Sequence, residues 1–341
     1  METSISKPHA VLISNPGLGH LIPVLELGKR LVTLQNFEVT IFVVASQTSA
    51  AESEMIQAAM SPKLCQLIEI PPPDISHLVG PDTAVVTILA IMMRESKSAL
   101  RAAISTLKSR PTAMIFDLFG TESFEIADEL EIPKYYFVAS HAWFLALTVY
   151  TPILDKLVQG QYVDQTEPFD IPGCKSLRPE EVIDPMLDRT NQQYFEYFRM
   201  GTEIPLCDGI LINTWEDLQP KALAALRDDK LLGGIVKAPI YTVGPIVRSL
   251  EPTGSNKELF DWLDKQPSDS VLYVSLGSGG TLSYEQTIEL AWGLEIMVDK
   301  EGHAIRYRAK ELKHGAEKAL SYEGGSIYDS LSLLANKCKH P

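Results

Sequence analysis

The sequence predicts an α/β protein whose first part is a doubly wound parallel sheet with helices on both faces. Two apolar runs typical of buried strands, His9–Ser14 and Glu38–Val44, flank a stretch, Leu21–Leu34, whose apolar residues fall on one broad helical face. This strand–helix–strand order repeats along the chain, which is the pattern of parallel strands joined by crossover helices. The chain has 341 residues, a length that suggests two domains.

Composition and charge argue against several classes of protein. Hydrophobic residues make up 45% of the chain and charged residues 22%, which is typical of a globular protein and excludes a mainly disordered or low-complexity one. Thirty Lys and Arg residues stand against 44 Asp and Glu residues, for a net charge of −14. Because phosphate groups attract basic surfaces, we expect neither nucleic-acid binding nor binding to an anionic membrane surface.

Cysteine usage and the N-terminus predict a cytoplasmic location. The four cysteines, at 65, 174, 207 and 338, are far apart and form no C-x-x-C, so neither a zinc site nor a disulfide framework is expected. The N-terminus shows no charged segment followed by a long apolar core, so we expect no signal peptide. The most apolar stretch, Tyr135–Tyr150, is too short and too polar to span a bilayer. No H-x-x-x-H motif or carboxylate cluster suggests a bound metal.

The later strands are predicted from short runs of apolar, β-branched and aromatic residues that end in polar or turn residues. Prolines stop the first of these runs directly after Ile70. The predicted strands after the first two are Leu64–Ile70, Ala113–Asp117, Lys134–Val138, Gly209–Asn213 and Ile240–Val243.

The helices between these strands are predicted from apolar residues recurring at helical spacing. They are Thr83–Leu107, Glu122–Leu130, a helix starting after Ser140, Gln192–Glu203 and Leu218–Leu226. Residues 160–190 are rich in proline and irregular, which favours a surface segment over a cleft.

The second part of the chain appears in the sequence as an incomplete domain. We predict a first domain over residues 1–248, a polar linker over 249–257, a remnant of a second domain over 258–295 and a helical tail over 296–341. The predicted elements beyond the linker are a helix at Glu258–Leu263, a strand at Ser270–Ser275, and helices at Tyr284–Leu294, Ile305–Leu320 and Ile327–Leu334. One strand cannot build a parallel sheet, so part of this domain is missing or the tail packs elsewhere.

Two residues at predicted strand ends are candidates for acid–base chemistry. His20 follows the first strand through the turn NPGLG, where it would serve either as a general base or as a polar residue capping the helix. Asp117 ends the Ala113 strand, and an isolated aspartate there is usually a cap or turn residue. Together they favour another interpretation, because a carboxylate fixes the tautomer of an imidazole and stabilises its protonated form. Without a nucleophilic Ser or Cys, such a pair suits deprotonation of a substrate hydroxyl.

The glycine-rich loop SLGSGGT, residues 275–281, is the third candidate. Backbone N–H groups in such a loop form an anion-binding concavity, and the Ser278 and Thr281 hydroxyls would add donors to a diphosphate. The alternative is a tight turn that needs glycine. His141 and Trp143 would line a cleft, although core packing explains Trp143 at least as well.

These residues lie in segments that resemble plant UDP-dependent glycosyltransferases, which glycosylate small phenolics and other secondary metabolites. The segments are NPGLGHLIPVLELGKRL, MIFDLFGTESFEIADEL, GILINTWEDLQPKAL, VGPIVR and ELFDWLDKQPSDSVLYVSLGSGGTLSYEQTIELAWGLE. The resemblance runs from about residue 7 to Glu295 and is closest to the subgroup that includes hydroquinone glucosyltransferases. The tail from Val298 to Leu334 also resembles the end of those proteins.

The resemblance implies a GT-B-like fold, with an acceptor-binding Rossmann-like domain facing a second one that binds the UDP-sugar. It implies His20 as the base and Asp117 as the residue that orients it. The family's donor contacts correspond here to Ser140, where threonine is more usual, and to Ser278, Gly279, Gly280 and Thr281. Gly19, Leu118, Phe119 and Trp143 would contact a small phenolic acceptor. UDP-sugar would be a co-substrate, with no other cofactor.

One departure from the family pattern dominates. The family's second domain carries a long signature that begins W-x-P-Q, contains H-C-G-W-N-S and ends in D/E-Q. Here no His is followed by Cys, and the only Glu-Gln pair, Glu285–Gln286, lies just after the glycine-rich loop. The sequence passes from AWGLE, ending at Glu295, directly into IMVDKEGHAIR. We therefore expect a truncated second Rossmann-like domain that binds UDP-sugar weakly or not at all.

Three functional hypotheses remain open on the sequence. The first is a glycosyltransferase-family protein with little or no activity, whose ancestral chemistry is inverting transfer of a sugar, most simply glucose, to a hydroxyl. The second is a non-catalytic protein that binds a phenolic ligand or pairs with a full-length relative. The third is a splice product or incomplete gene model without a role. For the tail, Ile327, Leu331 and Leu334 fall on one helical face suited to docking on the first domain, and the exposed remnant is a candidate self-association surface.

Overall fold

The computed structural model describes residues 7–45, 64–247, 257–268, 270–276, 281–296, 302–322 and 324–339. The chain divides into two compact units, the first made of residues 1–246 and 312–341 and the second of residues 247–311. The division thus falls close to the start of the predicted linker, but it splits the predicted tail between the two units.

The first unit is built on a seven-stranded parallel sheet in the order β3-β2-β1-β4-β5-β6-β7. Its strands form where apolar runs were predicted, with ends that shift by one or two residues. They are β1 His9–Ser14, β2 Glu38–Val44, β3 Gln66–Ile70, β4 Ala113–Phe116, β5 Lys134–Val138, β6 Gly209–Ile212 and β7 Ile240–Thr242. The strand order reverses direction between β1 and β4, so this pair marks the point where ligands collect in doubly wound folds.

Of the described helices, the first seven lie between strands in chain order and the last four follow the final strand. They are α1 Leu18–Gln35, α2 Val85–Glu95, α3 Lys97–Ile104, α4 Phe124–Glu129, α5 Ala142–Leu157, α6 Gln192–Glu203, α7 Pro220–Arg227, α8 Lys257–Leu263, α9 Tyr284–Ile296, α10 Gly302–Ala319 and α11 Ser326–Lys339.

Two predicted helices differ in detail from those observed. The single helix predicted over Thr83–Leu107 is observed as two helices that meet at Ser96, where the Ser96 N–H and hydroxyl both donate to the Met92 carbonyl, at 3.0 and 2.8 Å. The helix predicted from Glu122 begins instead as a 3₁₀ turn, Thr121–Ser123, before α4.

The alternating side chains of the strands fill two hydrophobic clusters, one on each face of the sheet. On β1, Val11 and Ile13 point to the cluster shared with α2 to α7, whereas Ala10 and Leu12 point to the cluster shared with α1 and α11. All four side chains are fully buried. Burial on both faces explains why the strand sequences are nearly continuous apolar runs rather than alternating ones.

Helix α11 covers the part of the sheet that α1 does not reach. Its Ile327, Leu331 and Leu334 are 3%, 0% and 1% exposed and lie in the same cluster as Tyr135 of β5 and Tyr241 of β7. Two polar contacts flank this apolar face. Gln35 donates to the Ser332 hydroxyl at 2.9 Å, and the hydroxyls of Ser330 and Thr242 lie 3.4 Å apart.

In the second unit, the predicted strand at Ser270–Ser275 is wrong. Residues 270–276 form no strand, and their apolar side chains are exposed, with Leu272 at 55% and Tyr273 at 83%. None of the described strands pairs with this segment, and a β-prone sequence without a neighbouring strand gains no ladder of hydrogen bonds. Helix α8 likewise buries no residue. Within the described residues, no helix has the length and apolar character needed to cross a membrane.

We predict that Leu331→Ala destabilises the first unit by about 2–5 kcal/mol, because it leaves a cavity between α11 and the sheet. Leu333, two positions along, is 61% exposed, so Leu333→Ala should change the free energy of unfolding by less than about 0.5 kcal/mol. Urea unfolding of the two variants measures the difference. Equal effects would show that α11 does not pack as described.

Candidate functional site

The site is assembled where β1 and β4 end. The two strands pair in parallel up to Ile13 and Phe116, and the Asp117 N–H then donates to the Ile13 carbonyl at 3.1 Å. The carboxylate of Asp117 is fully buried, and its Oδ2 accepts a hydrogen bond of 3.3 Å from the Asn15 N–H. The ends of two adjacent strands therefore hold Asp117 in place from both sides.

His20 reaches this carboxylate from the first turn of α1. Gly17 precedes the helix with φ at 98°, a left-handed conformation that glycine adopts without the steric cost of a side chain. The helix starts one residue later, which places His20 Nδ1 2.8 Å from Asp117 Oδ2. The imidazole is 22% exposed, and the ring of Phe119 lies edge-on to it at 5.7 Å between centroids. The structure thus brings together His20, Asp117 and Phe119.

The surroundings of His20 act on its pKa in opposite directions. Burial lowers the pKa, while the hydrogen-bonding contact with Asp117 and the negative charge of that carboxylate raise it, and the balance lies above the ordinary value of 6.5. With Nδ1 facing the carboxylate, Nε2 is the ring nitrogen left to accept a proton. This arrangement suits a general base whose imidazolium form is stabilised by the Asp117 carboxylate next to Nδ1.

The other predicted acceptor contacts differ in exposure. Gly19 is exposed at the start of α1, and Phe119 is 5% exposed beside His20. The Leu118 carbonyl accepts a hydrogen bond of 3.1 Å from the Tyr136 hydroxyl. Trp143 is 45% exposed and contacts His141 edge-on at 6.2 Å, so it is not a core residue. No hydrogen bond or ring contact within the described residues joins Trp143 to His20.

Residues after β5 have a structural role that the sequence left open. His141 precedes α5 and accepts a hydrogen bond of 3.2 Å from the Phe144 N–H, so it caps this helix. Ser140 is exposed next to it, and the described contacts do not join it to His20 or Asp117. Its assignment as a donor contact stays a prediction.

The donor loop is only partly described. Ser278, Gly279 and Gly280 lie outside the described residues, and Thr281, which follows them, is exposed. Among the described parts of the chain, no group of three or more His, Cys, Asp or Glu side chains is placed to hold a metal ion.

Sequence reasoning missed two features around the site. Asn15 is completely buried, and neither atom of its side-chain amide has a hydrogen-bond partner. The second feature is a network of ion pairs in which Arg94 and Arg199 both contact Glu122 and Glu196 at 2.6–3.1 Å and so anchor the turn after Asp117. The only signal for Asn15 was its place directly after a buried strand. Glu196 and Arg199 stand three residues apart at helical spacing, but the pairs that join them to Arg94 and Glu122 link residues too distant in sequence to be matched.

Comparison with known proteins gives similarity over most of this chain. It is 64% identical over 290 residues to anthocyanidin 3-O-glucosyltransferase 5 of Manihot esculenta, covering 85% of this chain and 60% of that protein. It is 50% identical over 294 residues to UDP-glycosyltransferase 72D1 of Arabidopsis thaliana, covering 86% of this chain and 63% of that protein. The chain therefore spans less than two thirds of the length of these curated relatives. No family model matches the sequence.

Solved structures show the same fold. TcCGT1 in complex with UDP is 45% identical with a TM-score of 0.75, over 85% of this chain and 62% of that one. Phytolacca americana UGT2, complexed with UDP-2fluoro-glucose and pterostilbene, is 26% identical with a TM-score of 0.84, over 98% of this chain and 100% of that one.

We predict that Asp117→Asn takes the pKa of His20 from above 6.5 to below it. The substitution removes the charge that raises the pKa but leaves the burial that lowers it. An NMR titration of the His20 ring signals in the wild type and the variant measures the shift.

Asp82→Asn removes the same charge at an exposed position and is the matched control, which should leave the His20 titration unchanged. A His20 pKa that stays raised in Asp117→Asn would contradict the proposed role of this carboxylate.

Proposed function

Because the matched residues of this chain belong to the plant UDP-glycosyltransferase family, we propose that its first unit is an acceptor-binding domain for small phenolic hydroxyl compounds. The observation that carries this proposal is the 2.8 Å contact between His20 and Asp117 at the carboxyl ends of two parallel strands. Phe119 beside His20 supplies an apolar aromatic surface suited to a phenol ring.

The ancestral chemistry is inverting transfer of a sugar, which we propose to be glucose, from UDP-sugar to the acceptor hydroxyl. Nε2 of His20 takes the proton of the hydroxyl, and the oxygen attacks the anomeric carbon from the side opposite the UDP group. The new C–O bond forms as the bond to the diphosphate breaks, and UDP leaves with the electron pair. Asp117 stabilises the imidazolium that results.

We propose that this transfer is weak or absent here because the donor-binding signature is missing. The sequence contains no W-x-P-Q or H-C-G-W-N-S element, and its Glu-Gln pair, Glu285–Gln286, lies just after the glycine-rich loop rather than at the end of such a signature. Residues 270–276, which precede the glycine-rich loop, form no strand, whereas a diphosphate-binding loop of this kind follows a strand. Binding energy from the nucleotide also sets the alignment that the chemistry needs, so its loss lowers both affinity and rate.

We predict that UDP-glucose binds with a Kd weaker than about 1 mM, whereas simple phenols bind the same preparation. A few loop donors, each worth about 0.5–1.5 kcal/mol, cannot replace a nucleotide pocket. Isothermal titration with each ligand measures both affinities. Micromolar binding of UDP-glucose would contradict the missing donor site.

The phenol affinity should fall about tenfold in the double variant Phe119→Ala, Trp143→Ala, because the variant removes the Phe119 ring beside His20 and the acceptor contact proposed for Trp143. Phe195, which is 58% exposed on α6, provides a control, and Phe195→Ala should bind phenol like the wild type. Circular dichroism checks that the double variant is folded. Unchanged binding in the double variant would place the phenol elsewhere.

The second candidate function is a non-catalytic phenol-binding protein, alone or as a regulatory partner of a full-length relative. The exposed, strand-free segment at residues 270–276 favours it, because it suggests that the donor half is not assembled. Incubation with UDP-glucose and a phenol separates the two functions. Glucoside that disappears in His20→Ala indicates a transferase, and phenol binding without any glucoside indicates a binding protein.

We further propose that the second unit self-associates and that the protein is cytoplasmic. The cytoplasmic location rests on the four free cysteines.

Self-association rests on the exposed apolar run Val271–Val274, since exposed apolar patches of this kind drive association.

Light scattering should therefore give a mass that rises with concentration, and Leu272→Lys with Val274→Lys should abolish the rise. Leu157 on α5 is 67% exposed, and Leu157→Lys is the matched control that should still associate. A concentration-independent monomer mass for the wild type would contradict this proposal.

A further inference from the structure

Tyr136 lies on β5, next to the strand that leads into Asp117. In the parallel register of β4 and β5 it is the partner of Phe116, the residue directly before Asp117. Tyr136 is fully buried, in the same hydrophobic cluster as Phe116 and Phe119. Its hydroxyl donates a hydrogen bond of 3.1 Å to the Leu118 carbonyl. The side chain therefore reaches past the end of β4 to the segment that carries Asp117 and Phe119.

This segment, Asp117–Gly120, forms a β-turn. The Gly120 N–H donates to the Asp117 carbonyl at 2.8 Å, which is the bond between the first and fourth residues of such a turn. Leu118 and Phe119 are the two central residues, and the peptide between them takes no part in that bond. This central peptide is the one whose direction differs between turn types. Tyr136 holds it by its carbonyl oxygen.

The hydroxyl of Tyr136 is suited to this contact. Burial, and after it the negative charge of Asp117, raise the pKa of Tyr136 well above the ordinary value of 10, so the hydroxyl keeps its proton and donates. A buried hydroxyl without a partner is costly, and the Leu118 carbonyl supplies that partner. Loss of the hydroxyl removes the bond and leaves the direction of the central peptide to the turn alone.

Asp117 and Phe119 depend on this bond to different degrees. Asp117 has contacts of its own, because its N–H donates to the Ile13 carbonyl and its Oδ2 accepts from the Asn15 N–H. Phe119 contributes the N–H of the central peptide, so the direction of that peptide sets the position of its ring. The ring lies edge-on to His20 at 5.7 Å between centroids. Loss of the hydroxyl should therefore move the ring and leave the carboxylate in place.

We propose that Tyr136 is a positioning residue of the acceptor site, whose hydroxyl fixes the turn Asp117–Gly120 and so holds the Phe119 ring against a phenol bound next to His20. The part of this inference that concerns the phenol rests on the proposed function. Because Tyr136 is 0% exposed, it acts through Phe119 rather than by contact with a ligand.

The first test needs no ligand. Tyr136→Phe removes the hydroxyl and keeps the ring. In an NMR titration, the midpoint of the His20 ring signals gives the pKa of His20, and their positions report the ring current of Phe119. We expect the wild-type midpoint, because Asp117 stays in place, together with signal positions that move toward those of Phe119→Ala.

Tyr135→Phe is the matched control. Tyr135 is 2% exposed on the same strand, but it belongs to the opposite hydrophobic cluster, and its hydroxyl lies 3.9 Å from Sγ of Cys338. The same hydroxyl is removed from a buried tyrosine of similar exposure. Both the midpoint and the positions of the His20 signals should remain at their wild-type values.

The second test measures the affinity for 4-nitrophenol by isothermal titration. Tyr136→Phe should bind the phenol about two- to fivefold more weakly than the wild type, as expected for the loss of one hydrogen bond. In a Phe119→Ala background, the same substitution should cause no further loss, because the effects of residues that act through one another do not add.

A change in the turn itself keeps the test decisive if Tyr136→Phe does not fold. Gly120→Ala places a Cβ 3.0 Å from the Asp117 carbonyl oxygen, so the turn has to shift. It should move the His20 signals toward their positions in Phe119→Ala. Gly80→Ala is the control, because a Cβ there meets no atom within 4 Å.

The outcomes separate this inference from the proposed function. His20 signals that keep their wild-type positions in Tyr136→Phe, or in Gly120→Ala if the first variant is unfolded, would overturn the positioning role. An equal loss of affinity from Tyr136→Phe with and without the Phe119 ring would also overturn it. A wild type that does not bind 4-nitrophenol, with His20 signals that move as expected, would overturn the proposed function while confirming that Tyr136 holds Phe119.

Discussion

The parallel pairing of β1 with β4 is the contact on which the site depends. Their paired register ends at Ile13 and Phe116, so the segments that follow the two strands leave the sheet side by side. One segment leads into α1 and the other begins with Asp117. Because sheet order reverses at this pair, the crossover helices diverge to leave a crevice above the strand ends. The contact between His20 and Asp117 follows from this topology together with the turn at Gly17.

The two units of the chain differ in how they bury apolar residues. In the first unit, both faces of the sheet are covered, and α11 supplies the cover over β5 and β7. In the second unit, apolar residues such as Tyr273, Tyr284 and Trp292 are more than 60% exposed. Hydrophobic burial is the main favourable term in folding. The first unit therefore gains a large stabilisation from its buried apolar residues, and the described part of the second unit gains little. The proposed functions follow this contrast, with acceptor binding assigned to the first unit and donor binding expected to fail.

The strands and most helices of the first unit could be predicted because two signals agree in their sequences. The residues have a local propensity for the strand or helix, and their apolar positions match the face that is buried. The prediction of a strand at Ser270–Ser275 was wrong because local propensity alone does not make a strand. Its sequence is typical of a strand, but the described sheet offers it no neighbouring strand to pair with. The break between α2 and α3 at Ser96 has no sequence signal beyond the serine itself, whose hydroxyl bonds to the Met92 carbonyl. At the site, position in the chain pointed to His20 and Asp117, but only three-dimensional packing shows that Asn15 is buried with an unpartnered amide.

A crystal structure of the chain with bound 4-nitrophenol tests the account most directly. The account predicts the phenolic oxygen at about 2.6–3.2 Å from Nε2 of His20, with the ring beside Phe119. The main competing location is a cavity of about 640 Å³ between β7 and α11, which shares no lining residue with the proposed site. Density for the ligand in that cavity, with the space next to His20 empty, would contradict the assignment of the first unit as a phenol-binding domain built around His20 and Asp117.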